Sequence, residues 1–106
     1  MIFNNKFKRN LKLEKNIAEI LKEHSLVISV AESCTGGLLS SRLTDISGSS
    51  EYIRANFVTY SNESKMALLD VKDETLRVYG AVSEQCAREM SEGLYRKTKA
   101  DIAIST

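Results

Sequence analysis

The chain has 106 residues, of which 42% are hydrophobic and 27% charged, with a formal net charge of +1. That length suits a single domain, and the balance is that of a soluble globular protein. No apolar run approaches the roughly 18 residues of a membrane span, and near-neutral charge argues against a general nucleic-acid binder.

The opening MIFNNKFKRN carries charge but no apolar core region or small-residue cleavage site, so it is not a secretory signal. Lys6, Lys8, Arg9, Lys12 and Lys15 crowd the first fifteen residues without an aromatic ladder. Residues 1–10 therefore read as a flexible basic arm and residues 11–106 as the domain. Cys34 and Cys86 form no metal-type cluster, which predicts reduced thiols in a cytoplasmic protein without a metal or other cofactor.

In chain order, Leu13, Ile17, Ile20 and Leu21 have the spacing of an amphipathic helix over 11–24. The run Leu26 to Ala31 is short, continuous and rich in β-branched residues, as in a strand buried on both faces. After Gly36 and Gly37, an apolar stripe through Leu38, Leu39, Leu43 and Ile46 marks a second helix, closed by a turn over 45–50. Phe57–Tyr60 reads as a strand, and Ser61 or Asn62 can cap a helix running to Leu69. A further helix over 73–79 stops at Gly80. Ser83 caps a longer one to about Lys97, with Ala87, Met90 and Leu94 inward, and 101–106 is a third strand. Strands alternating with helices predict an α/β domain, layered α/β/α around a mainly parallel sheet. Three strands are few for a sheet covered on both faces. The chain is also expected to stop short of the loop that should follow the last strand. Such a sheet predicts pairing with a second copy, as a homo-oligomer and most simply a dimer.

The segment Ala31-Glu32-Ser33-Cys34-Thr35-Gly36-Gly37 joins a buried strand to a helix. Small residues there expose the helix's first N–H groups, which favour a phosphate, a carboxylate or a developing oxyanion. Gly36 and Gly37 allow close approach of a ligand to the backbone. Either Ser33 or Cys34 stands where a nucleophile is needed. His24 lies on the far side of the strand, so no Cys–His or Ser–His pair is expected, and a serine nucleophile needs lysine or tyrosine as its base. The run Val58-Thr59-Tyr60-Ser61-Asn62-Glu63-Ser64-Lys65 supplies both: Tyr60 falls at a strand's carboxyl edge, and Lys65 one turn into the next helix. A lysine so placed is a candidate general base. Glu32, Glu63 and Glu84 are candidate acids without metal-ligand spacing.

The strings AESCTGG, FVTYSNESK, LLDV, YGAVSE and DIAIST, in this order, resemble the C-terminal domain of the CinA competence/damage-inducible family, also found alone as PncC. The resemblance covers roughly residues 12–106. It implies an amidohydrolase that converts nicotinamide mononucleotide (NMN) and water to nicotinic acid mononucleotide and ammonia in pyridine-nucleotide salvage. It implies Ser33 as nucleophile, with Tyr60 and Lys65 as activating partners. Glu32, Thr35, Gly36, Gly37, Asn62, Ser105 and Thr106 are then implied to line the site of this small-molecule nucleotide. The family continues beyond DIAIST with a Gly-rich loop, further strand and a final helix, and can carry a molybdopterin-binding-like domain before this one. The alternative is a non-catalytic, truncated CinA-like module that binds nucleotide or serves in assembly.

Overall fold

Helix α1 (Lys12–Glu23) begins where the Asn10 side chain accepts a hydrogen bond from the Lys12 N–H. The structure, a computed structural model, describes residues 10–106, so the basic arm expected over 1–10 lies, Asn10 apart, outside the described residues. The buried face of α1 is Glu14, Ala18 and Leu21, with Ile17 half-buried beside them. Leu13 and Ile20 are more than half exposed, contrary to the expected stripe. The face is rotated because Glu14 turns inward to meet Arg42 Nε at 2.8 Å, an ion pair 28 residues apart in sequence.

Strand β1 (Ile28–Glu32) is buried along its whole length. Ile28 and Val30 pack with Ala18, Leu21, Leu43 and Tyr52 on one side, while Ala31 joins Leu69, Met90 and Leu94 on the other. A turn leads to α2 (Leu38–Thr44), and a single 3-10 turn (Ser49–Glu51) precedes β2 (Phe57–Val58). Then come α3 (Asn62–Leu69), α4 (Asp73–Tyr79), α5 (Glu84–Thr98) and β3 (Ile102–Ser105). Both β2 and β3 pair with β1 in parallel, giving the order β2-β1-β3. Helices α1 and α2 cover one face, and α3 and α5 the other, as a layered α/β/α arrangement requires.

Local chemistry explains the helix starts. The Ser61 and Ser83 hydroxyls accept from the N–H groups of Ser64 and Cys86, each cap contributing about 1 kcal/mol. Neither α2 nor α4 has a cap from its own preceding residue. Each borrows a carboxylate from elsewhere. For α4 it is Glu89 on α5, which accepts from the Lys72 N–H and the Thr75 hydroxyl. For α2 it is Glu32, at the end of β1. Helices α3 and α5 touch backbone to backbone at Gly93. No helix of the described residues is long and apolar enough to cross a membrane.

Candidate functional site

In a parallel α/β sheet the carboxyl ends of the strands form one edge, and ligands bind there. Here that edge is drawn together by backbone bonds. The Ser33 N–H donates to the Thr106 carbonyl at 2.8 Å, and the Thr106 N–H to Ala31 at 2.9 Å. On the opposite side the Thr59 N–H donates to the Glu32 carbonyl at 2.8 Å. Ser33 thus stands in the middle of the edge, one strand spacing of about 4.8 Å from its neighbours on either side. Thr59, which the sequence reading did not single out, is completely buried, and its hydroxyl oxygen has no hydrogen-bond partner. Ser33 is half-buried and Cys34 exposed.

Burial reverses the usual expectation for the second cluster. Lys65, which as a helical lysine would ordinarily be solvated, is 1% exposed, whereas Tyr60 is 72% exposed. Lys65 Nζ donates to the carbonyl oxygens of Thr59 at 2.9 Å and Tyr60 at 3.3 Å. The chain just after β2 is therefore wrapped over the lysine head, and no carboxylate forms an ion pair with it among the described residues. The neighbouring Cys86 is fully buried; burial pushes its thiol up, an effect that Lys65 partly offsets and Glu89 adds to. Cys86 is a packing residue of α5.

Glu32 requires a correction. It was expected to face a ligand, but its side chain is fully enclosed and its acceptors are taken by the chain itself. One oxygen accepts from the Thr35 hydroxyl and the Leu39 N–H, both at 2.8 Å. The other accepts from the Ser40 N–H at 2.8 Å and the Ser40 hydroxyl at 2.6 Å. The first free N–H groups of α2, expected to hold the substrate's anion, are thus already held by a carboxylate. Of the backbone donors from 33 to 40, those of Ser33, Gly36, Leu38, Leu39 and Ser40 are engaged within the chain. Cys34, Thr35 and Gly37 keep theirs open, so any oxyanion binds to the turn itself and not to the helix end.

Enclosure alone would push the Glu32 acid up. The hydrogen bonds from Ser40, Leu39 and Thr35 outweigh it and hold the carboxyl at about 2, against 4.5 ordinarily. Because the folded value lies below the unfolded one, the stabilisation is complete above pH 4.5 and is lost as the pH falls toward 2. The amount is about 3 kcal/mol, and it is measurable as a slope in unfolding free energy across that window. Glu89, lowered by its bonds to Thr75 and Lys72 against the cost of burial, adds to the same slope. Glu32→Gln is expected to flatten most of it.

The remaining candidates divide. Gly36 and Gly37 both have positive φ, +62° and +106°, and a Cβ at Gly36 would meet nothing within 4 Å, so the space above the turn is open. Asn62 is exposed in the first turn of α3, and Thr106 is exposed beside Ser33. Ser105 departs from expectation: its hydroxyl donates to the Ala87 carbonyl at 2.6 Å, tying β3 to α5 on the face that α3 and α5 cover. Alternation along β3 explains this, since Ala103 and Ser105 share the α5 side. Exposed Leu38, Val58 and Tyr60 flank the turn with apolar surface. His24 is exposed at the end of α1, with Nδ1 3.0 Å from the Ile20 carbonyl. No group of three or more His, Cys, Asp or Glu among the described residues could hold a metal ion.

The family model for the CinA C-terminal domain matches residues 10–106. The chain belongs to this family. It is 56% identical over 97 residues to a CinA-like protein of Chloroherpeton thalassium, covering 92% of this chain and 23% of that protein. A CinA-like protein of Thermotoga neapolitana is 50% identical over 94 residues, covering 89% of this chain and 23% of the relative. Among solved structures, the competence damage-inducible protein A (ComA) of Klebsiella pneumoniae superposes with a TM-score of 0.87 at 38% identity, covering 92% of this chain and 61% of that one. The competence/damage inducible protein CihA of Agrobacterium tumefaciens gives 0.87 and 38%, covering 99% and 62%. The CinA-type chain described here thus spans about a quarter of the curated relatives' length and about three-fifths of the solved chains.

Proposed function

We propose that this CinA-type domain is an amidohydrolase acting on the carboxamide of nicotinamide mononucleotide, with Ser33 as the nucleophile. One observation carries the reading. Ser33 occupies the centre of the strand-end edge, beside open N–H donors at Cys34, Thr35 and Gly37, while buried Lys65 lies one strand over beneath Thr59 and Tyr60. In this scheme Ser33 Oγ attacks the carboxamide carbon and gives its proton to the lone pair of an uncharged Lys65 amine, directly or through the Tyr60 hydroxyl, which passes its own proton on. The open backbone donors hold the oxyanion as it forms. The C–N bond then breaks, the proton passes to the leaving nitrogen, and ammonia departs. Water, deprotonated by the same base, cleaves the acyl ester, releases nicotinic acid mononucleotide and restores the serine. The motif set AESCTGG and VTYSN, which carries the family resemblance, supports the choice of substrate.

Ammonia release on incubation with NMN tests the substrate; its absence refutes that assignment. Ser33→Ala is expected to lower turnover by at least about a thousandfold, whereas Cys34→Ala, which keeps the backbone N–H, retains most of it. The reverse pattern in steady-state ammonia assays would reinstate a thiol mechanism. A second reading is binding of nucleotide without hydrolysis. Calorimetric NMN binding without ammonia release would select it.

A further inference from the structure

We propose that Glu32 is a positioning residue for Ser33, acting through the four hydrogen bonds that its enclosed carboxylate accepts from Thr35, Leu39 and Ser40. The proposal rests on the reading of Ser33 as nucleophile. Ser33 follows Glu32 directly, so the direction of its side chain depends on how the turn over 33–37 is held. That turn has little to hold itself. Its own backbone bonds are those from Gly36 N–H to the Ser33 carbonyl at 3.0 Å and from Leu38 N–H to the Thr35 carbonyl at 3.1 Å. Two of its five residues are glycines with positive φ, which restrict the backbone least.

Glu32 supplies what is missing. Its backbone is fixed in the sheet, where its carbonyl accepts from Thr59. One carboxylate oxygen then fastens Thr35, two residues past Ser33, and both oxygens fasten the start of α2. Ser33 is thereby bracketed between two anchored points. The same bonds take the Leu39 and Ser40 donors out of use, so the donors left open are those of the turn. A helix-end donor would draw an oxyanion away from Ser33. The sequence cue is a glutamate closing a buried strand, with hydroxyl residues at 35 and 40 within its reach.

The alternative is that Glu32 only caps α2, and kinetics separates the two roles. Glu32→Gln keeps the shape but presents an amide NH2 to N–H and O–H donors. Ser40→Ala removes one donor, leaves the carboxylate in place, and decides the question if the glutamine variant does not fold. For each variant two rates are measured per folded molecule, with folding followed by circular dichroism. One is ammonia release from NMN, and the other is phosphonylation of Ser33 by a fluorophosphonate. A displaced nucleophile predicts that kcat and the labelling rate fall together, about a hundredfold for Glu32→Gln and about tenfold for Ser40→Ala, with KM within about threefold. A cap alone predicts a lower unfolding midpoint with both rates unchanged, and that result overturns the proposal. If the native chain releases no ammonia but its labelling still falls in the variants, the substrate assignment fails and the positioning role stands. If native Ser33 labels no faster than an ordinary surface serine, the proposal fails with the nucleophile.

Discussion

Gly93→Ala is expected to destabilise this domain by about 3 kcal/mol, lowering the midpoint of thermal unfolding by roughly 12–24 °C. A Cβ at Gly93 would lie 1.8 Å from the Leu69 carbonyl oxygen and 2.6 Å from its carbon. Both are backbone atoms at the end of α3, so no rotamer change relieves the clash. Helix α5 must move away from α3, and the movement opens the cluster in which Leu69, Met90 and Leu94 pack with Ala31. In an exposed helix the same substitution would stabilise, since alanine is the better helix former. The sign therefore separates close packing from intrinsic propensity. Urea or thermal unfolding showing a gain would refute the close approach of the two helices. Lys65 is on α3 as well, so a folded fraction of this variant is also expected to show reduced turnover.

Much of the frame was legible because it depends on local chemistry. Ser83, followed by Glu84 and an inward set at Met90 and Leu94, marks α5 in sequence as it does in space. The buried run before Ser33 reads as a strand, offset by one or two residues from β1. What failed depends on contacts distant in sequence. Leu13 and Ile20 fit a helical stripe, yet the inward face belongs to Glu14 because its partner Arg42 waits on α2. Only two residues of Phe57–Tyr60 are strand: the Thr59 N–H still bonds β1, but the Thr59 and Tyr60 carbonyls accept from Lys65 in place of a strand partner. Nothing in the apolar spacing of α5 marks Gly93 as a contact; an isolated glycine inside a helical pattern is the one available cue.

The site shows the same division. Residue types and spacing pick out Tyr60, Lys65 and either Ser33 or Cys34, and the family resemblance selects the serine, but none of this says which side chain is buried. Side-chain direction misassigned Ser105, whose hydroxyl serves α5, and Glu32, whose carboxylate is used up inside the turn. Ser40 and Thr59 were missed because their importance comes from a neighbour: Ser40 completes Glu32, and Thr59 holds both β1 and Lys65 through its backbone.

Lys65→Met is expected to lower ammonia release by about a thousandfold while leaving stability within about 1 kcal/mol of the native chain. The two effects separate because Lys65 is an expensive residue to enclose. It is 1% exposed, and its head is met by two carbonyl oxygens and, among the described residues, by no ion-pair partner. Taking an amine head out of water costs a few kcal/mol, more if it is charged, and carbonyl dipoles return only part of that. Methionine has similar length and fills the same space among apolar neighbours. Its cost is the two carbonyls left without a donor, about 1–3 kcal/mol each at most, the Tyr60 bond already being long at 3.3 Å. Relief and loss therefore nearly cancel in folding, while nothing replaces the nitrogen in proton transfer. A lysine retained for architecture would behave in the opposite way, with a loss of about 3 kcal/mol or more in urea unfolding and turnover falling only with the folded fraction. Unfolding curves and ammonia assays on the same preparation distinguish the outcomes. Turnover lost with stability kept is the pattern that the proposed proton-transfer role of Lys65 requires.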